Sequence, residues 1–269
     1  MEVFSVNNSE HWDEAAGSFQ DSYRRGLNQY DKQLLNFLNE NNMVFPGAKV
    51  IDIGCGVGKY GAELLRQGCE ITLMDIAPKM TEQAEANLEQ ISDECWEVHT
   101  RDFDTVALDD PMFGLGYHLS MSTVSPAIHD FESVKKMTDI SNAWCFVSRF
   151  SKFSPAARDA LMKSAGVTPE PIMERISDDV ANMIQCVSRA GYLPMVKYVP
   201  YPWEDLRSPE EEIRYILSRY EFPDTDPEFV KARLLRAIPD FLDEDGLFHD
   251  AVIAQVAWIY WNKNLPENG

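Results

Sequence analysis

The chain has 269 residues, 45% of them hydrophobic, and a formal net charge of −20, enough for one large domain with additions, or two small ones, around an ordinary core. That charge repels phosphate backbones and anionic lipid at long range, and no run of Lys and Arg with interleaved aromatics offsets it, so neither nucleic acid nor a membrane surface is the expected partner. Five cysteines without a Cys-x-x-Cys pair indicate neither a disulfide framework nor a zinc site, and five scattered histidines give no metal-ligand spacing.

The first residues lack a basic segment followed by a long apolar run, and the uncharged stretch 111–128 is broken by Gly, Ser, His and Pro. A soluble cytoplasmic protein is expected. In the N-terminal arm Phe19, Tyr23, Leu27, Tyr30, Leu34 and Leu38 recur at intervals of four and three, which predicts one helix over 18–39.

Val50 to Ile53 then reads as a buried parallel strand, and Gly54, Gly56 and Gly58 follow at alternate positions, where the missing Cβ admits a ligand or a positive φ. A helix from about Lys59 would point its free N–H groups at the same place. The dinucleotide fingerprint needs a glycine at position 59, which is Lys59, and no Gly-Lys-Ser/Thr closes a phosphate loop. Asp52-Ile-Gly54-Cys-Gly56-Val-Gly58 resembles the first motif of class I S-adenosylmethionine-dependent methyltransferases. The bland alternative is a glycine-rich turn with no ligand. Upstream, Trp12-Asp-x-x-Ala is similar to the opening of many small-molecule methyltransferases, in which the leading segment folds over the cofactor pocket. That resemblance makes Trp12 and Tyr23 candidate substrate contacts, with a core role for these aromatics as the alternative.

Glu70 to Asp75 reads as a second strand ending in an acid, at about the spacing that carries a carboxylate to the ribose hydroxyls of a bound nucleoside. The resemblance places Asp75 and the adjacent Ile76 against the cofactor. Pro78 suits a first helical position, with Met80, Ala84, Leu88 and Ile91 inward; the resemblance implies that Met80 packs on the adenine. Cys95 to Thr100 is a third strand. By the same resemblance Asp102 accepts from the adenine amino group and Phe103 covers the ring, though Asp102 equally suits a turn cap.

Phe113 to Met121 alternates strictly and reads as a fourth strand, with His118 a core histidine rather than a base. The family often has an acid where Gly114 stands. Backbone near Met121 would meet the cofactor's methionine part, and His129, in the loop leaving the strand's carboxyl end, would face substrate. A helix over 131–142 and a strand over 143–149 follow. Arg149 ends that strand, placed either to clamp a substrate carboxylate or to pair with a surface acid. Residues 151–175 read as an excursion with one short helix, and 176–190 as an amphipathic helix ending at Gly191.

Residues 195–201 and 251–261 are the last two strands, and the resemblance implies that the final one runs antiparallel. Between them a capping box at Ser208 and Glu211 starts one helix, and Asp226-Pro227 starts another with Val230, Leu234, Leu235 and Ile238 inward. The expected architecture is α/β, a Rossmann-like seven-stranded sheet with helices on both faces and its last strand antiparallel. It is divided into an arm over 1–45, a core over 46–202 and 250–264, and a helical insertion over 203–249 that serves as a cap or a dimer contact. The resemblance implies transfer of a methyl group from S-adenosyl-L-methionine to an O, N or S atom of a small molecule by in-line displacement, with His129 and Arg149 as candidate catalytic groups and no metal. A monomer or homodimer is expected. The alternatives are a protein or RNA methyltransferase and a non-catalytic cofactor-binding protein.

Overall fold

The computed structural model describes residues 9–114, 116–169, 172–223 and 225–265, and of 172–178 the backbone alone. Two helices, α1 (Ser9–Arg24) and α2 (Gln29–Glu40), replace the single one expected over 18–39. The Asn28 side chain accepts from the Asp31 N–H and the Asp31 carboxylate accepts from the Asn28 N–H, both at 2.9 Å, after a turn at Gly26 with φ +80°. That reciprocal cap satisfies two donors a helix start leaves open, so α2 begins afresh where hydrophobic period alone would run through. Tyr30, Leu34 and Leu38 remain buried, whereas Phe19 is 42% exposed.

Onward the order is β1 (Lys49–Ile53), α3 (Lys59–Arg66), β2 (Glu70–Asp75), α4 (Pro78–Glu89), β3 (Trp96–Thr100), β4 (Tyr117–Thr123), α5 (Phe131–Ile140), β5 (Ser141–Pro155), α6 (Ala156–Ala165) and α7 (Ile172–Arg189). Then come β6 (Met195–Pro200), β7 (Trp203–Arg207), α8 (Pro209–Arg219), α9 (Pro227–Ala237) and β8 (Phe248–Asn262). The strands form one sheet in the order β3-β2-β1-β4-β5-β8-β6, with β7 antiparallel on β8. Strands β1 to β5 pair in parallel, so the loops leaving their carboxyl ends gather on one side of the sheet, where sheets of this kind bind ligands. Among the described residues no helix is long and apolar enough to cross a membrane.

Three boundaries differ from expectation. β4 begins at Tyr117 because Asp110 and Pro111 start a 3-10 turn through Phe113, the Asp110 carboxylate accepting from the Met112 N–H at 3.1 Å; Leu115 lies outside the described residues. β5 runs to Pro155, well past Arg149, so the excursion starts later. An eighth strand, β7, was not expected, since it exposes Leu206 and turns Asp205 and Arg207 inward, the reverse of the usual alternation.

The described chain forms two compact units, one within 1–149, 179–197 and 257–269, the other within 150–178 and 198–256. The second unit is therefore larger than the insertion expected over 203–249. It has its own core, in which Leu161, Met162, Ile213, Ile216, Val230, Leu234 and Phe248 are buried together. Leu235, expected inward, is 48% exposed, one position off the face defined by Val230 and Leu234. The expected cap of α8 is present, with Ser208 Oγ accepting from the Glu211 N–H at 3.3 Å and Glu211 accepting from the Ser208 N–H at 2.9 Å. Replacing Ser208 with Ala is expected to cost about 1 kcal/mol, read as a lower midpoint in chemical denaturation; an unchanged midpoint would mean the cap contributes nothing.

Candidate active site

The glycine loop after β1 lies in the first unit, and its three glycines all have positive φ, +73° at Gly54, +54° at Gly56 and +75° at Gly58. Two of them are bare for the protein's own sake. A Cβ on Gly54 would lie 1.9 Å from Ser125 Oγ, and one on Gly58 would lie 2.8 Å from a Leu73 methyl. A Cβ on Gly56 would meet only Met80 Sδ at 3.8 Å and the Phe19 ring at 3.9 Å. Of the three, Gly56 has the most room beside it.

Asp75, at the end of β2, holds this loop in shape. One oxygen accepts from the Gly56 N–H at 2.8 Å and the other from the Ala77 N–H at 3.0 Å. Burial raises its carboxyl above the usual range, and the Ala77 and Gly56 N–H groups pull it back. Each carboxylate oxygen has a second lone pair, so Asp75 can fix the loop and still accept from a ribose.

Asp52 is different. It is 1% exposed, and neither of its oxygens has a hydrogen-bond partner among the described residues. Burial, then the nearby Asp75 charge, pushes its carboxyl up to about 7. A buried carboxylate with no counter-charge is costly, and a cationic ligand offsets that cost. The residues therefore fit a nucleoside carrying a sulfonium and an ammonium. Because the folded state holds a proton that the unfolded state has lost above about pH 4, stability should fall as pH rises from about 4 to about 7. Asp52→Asn is expected to flatten that fall and to raise the thermal midpoint of the ligand-free protein at pH 8. An unaltered pH profile of stability would contradict it.

The Cys55 thiol, between the first two glycines, is raised well above its usual value by burial and then by the Asp75 and Asp52 charges, so it is no thiolate nucleophile.

Helix α1 covers this loop. Trp12, Ala15, Ala16 and Tyr23 pack with Val57, Ala77 and Met80. Gln20 and Asn87 exchange amide hydrogen bonds at 2.8 and 2.9 Å, Asn87 also donates to the Val57 carbonyl at 2.9 Å, and Asp13 accepts from the Lys79 N–H at 2.8 Å. The structure thus brings Trp12, Tyr23, Met80, Asp75 and the glycines together, with Ile76 half-buried beside Asp75. Gln20, Asn87 and Asp13 were not expected. An amide pair 67 residues apart leaves no local signal in a sequence.

The other expected residues have contacts of their own. Asp102 caps a turn, accepting from the Asp104 N–H at 3.0 Å. Phe103 is 3% exposed and packs edge-on to Phe113 in the core, while its carbonyl accepts from the Lys136 ammonium. Met121 is fully buried as the register neighbour of Asp52 and Phe146. His118 is half-exposed at the edge of its strand, 3.2 Å from the Asn42 carbonyl. His129 lies 3.7 Å from Asp104 and 3.9 Å from Asp130, acids that line a cavity of 490 Å³ beside α5. Arg149 is 5% exposed, with Nε 3.1 Å from Asp179. Of its two expected roles, pairing with an acid is the one observed.

Residues 50–137 match the family described as a methyltransferase domain. The chain is 33% identical over 85 residues to the mitochondrial ubiquinone biosynthesis O-methyltransferase of Schizosaccharomyces pombe, a match covering 30% of this chain and 31% of that protein. It is 34% identical over 58 residues to protein-L-isoaspartate O-methyltransferase of Gloeobacter violaceus, covering 22% of this chain and 28% of that one. Both matches span less than a third of the relative's length. Among solved structures, a Galdieria sulphuraria protein provisionally named a sarcosine dimethylglycine methyltransferase aligns with a TM-score of 0.50 at 15% identity, covering 87% of this chain and 85% of that one, a likeness of fold.

Proposed function

Residues 50–137 carry a methyltransferase domain within a Rossmann-like sheet of the class I kind, and on that premise we propose that the protein is an S-adenosylmethionine-dependent methyltransferase. Its acceptor is an O, N or S atom of a small molecule. S-adenosyl-L-methionine supplies a methyl group on a sulfonium whose leaving group is a neutral thioether. Asp75 would accept from the ribose, the Gly56 backbone and Met80 would line the nucleoside, and Asp52 would face the positive charge. The remaining task is alignment of the acceptor and exclusion of water, which together contribute several kcal/mol of barrier reduction. Packing of Trp12 and Tyr23 of α1 against Val57 and Met80 supports that enclosing role.

The observation that carries this reading is the orphaned Asp52 carboxylate beside a glycine loop held by Asp75. The net charge of −20 favours a neutral or cationic acceptor over RNA. Five free cysteines suit a reducing, cytoplasmic setting, and the working form is a monomer or homodimer. Incubating the protein with methyl-labelled donor and a small-molecule extract is expected to move label into extractable metabolites, and not into RNA or protein. Label confined to a macromolecular fraction would overturn the small-molecule assignment.

A further inference from the structure

The outer face of the sheet in the second unit is apolar where a solvent-facing sheet is ordinarily polar. Along 198–206 the even-numbered residues are exposed, and on β8 so are His249, Ala251 and Ile253. β7 and β8 pair with Glu204 opposite Ala251 and Leu206 opposite His249, and the Tyr201 N–H extends that ladder by donating to the Ala254 carbonyl at 2.9 Å. These exposed side chains therefore share one face. Tyr198, Leu206 and Ile253 are each more than half exposed on it, with Pro200, Pro202 and Ala251 among them. The groups there that can form an ion pair are Glu204 and His249, 3.6 Å apart. Asp205 and Arg207 point the other way, into the ion cluster around Arg158 and Glu212. An antiparallel sheet with one side in water shows the reverse arrangement, and an exposed apolar patch marks a contact surface.

Chemistry sets aside three kinds of partner. An extended peptide would add to the free edge of this run, but Tyr201 turns its N–H to β8, so residues 200 and 202 are the ones whose donors would face that edge, and both are proline. An anionic membrane is repelled by a net charge of −20, and none of the residues named on the face is Lys or Arg. A basic protein would dock where acids are dense, as at Asp243, Glu244 and Asp245, rather than on a face with a single acid. A second copy of the chain meets none of these objections. Two acidic molecules approach most easily where neither presents excess charge, and an isologous contact needs a patch that is its own complement. Apolar residues satisfy that, and Glu204 and His249 supply one acceptor and one donor.

We propose that this face joins two copies of the chain, sheet on sheet about a two-fold axis, with Glu204 meeting His249 of the partner subunit. A patch two strands wide falls short of the roughly 800 Å² per partner of a standard interface. The dimer is therefore weak, with a dissociation constant on the order of 10 μM.

Sedimentation equilibrium of the full chain tests it. Wild-type protein is expected to pass from monomer to dimer between about 1 and about 100 μM, and to dimerise more strongly at about 300 mM salt than at about 30 mM, because salt screens the repulsion between the copies. Ile253→Lys places a like charge at the contact, and is expected to weaken the dimer at least about tenfold with its thermal midpoint kept. Leu206→Lys is expected to do the same, and decides the matter if Ile253→Lys lowers the midpoint. Wild-type protein that stays monomeric at about 100 μM in the higher salt would overturn the proposal, as would a folded variant of either kind that dimerises like the parent. Binding of wild-type protein to anionic vesicles, abolished by Ile253→Lys, would overturn it in favour of a membrane.

Discussion

Arg158→Met is expected to destabilise the second unit by about 3–5 kcal/mol, enough to unfold it under mild denaturant. Arg158 is fully buried on α6, with Nε 2.5 Å from Glu212, Nη2 3.2 Å from Asp205 and Nη1 3.5 Å from Asp250. Glu212 and Asp250 are themselves fully buried, on α8 and β8. Burial opposes the charged guanidinium, but Glu212 outweighs it and raises Arg158 above its usual pKa. Arg207 supports the cluster, reaching Asp205 and Glu212 at 3.0 Å and lying over the Tyr215 ring at 4.1 Å.

Removing Arg158 takes the guanidinium from the buried Asp250 and leaves the buried Glu212 to Arg207, and that desolvation cost, more than the lost attraction, sets the size of the effect. The check is hydrogen exchange of the 150–178 and 198–256 amides alongside a denaturation curve. Arg158→Met combined with Glu212→Gln should recover part of the loss, because one of the two buried charges that lose the guanidinium is then neutral. A single variant as stable as the parent would show that the buried ion cluster contributes nothing to holding this unit.

Asp75→Ala is expected to cut affinity for S-adenosylhomocysteine by more than about a hundredfold. Two effects add. The ribose loses a charged acceptor, at roughly 1.5–3 kcal/mol per hydrogen bond, and the Gly56 N–H loses the carboxylate that fixes the loop's shape. Asp75→Asn should fall between, since an amide keeps one acceptor oxygen and turns the other into a donor aimed at an N–H. Retained affinity in Asp75→Ala, with the thermal midpoint unchanged, would mean that the nucleoside lies elsewhere.

Much of the fold was legible in the sequence wherever its signals are local. The Val50 to Gly58 stretch, the acid closing β2, Pro78 opening α4, and the Ser208 and Asp226 caps each use a few neighbouring residues, and each is present. What was not legible was either outweighed by a hydrophobic period or depends on partners far along the chain. The split of the arm into α1 and α2 turns on one reciprocal cap at Asn28 that a hydrophobic period overrides on paper. β7 was hidden because its inward residues are Asp205 and Arg207, answered by Arg158, 47 residues from Asp205, and by Glu212 on the following helix.

The site divides in the same way. Glycine spacing and Asp75 were readable, but the reason for Gly54 was not, since the group that forbids a side chain there is Ser125 of a later loop. Arg149 lies inside β5 rather than at its end, because the strand continues to Pro155, and its task is set by Ile128, Ser148 and Asp179. A sequence shows that an Arg follows an apolar strand; it does not show that its nitrogens are already taken.

The most direct measurement is calorimetric titration of the purified wild-type protein with S-adenosylhomocysteine, with a nicotinamide dinucleotide as the control. Saturable binding of the first, in the micromolar range or tighter, and none of the second is predicted. No heat with S-adenosylhomocysteine, or saturable binding of the dinucleotide in its place, would contradict the assignment of the glycine loop and Asp75 to a sulfonium nucleoside.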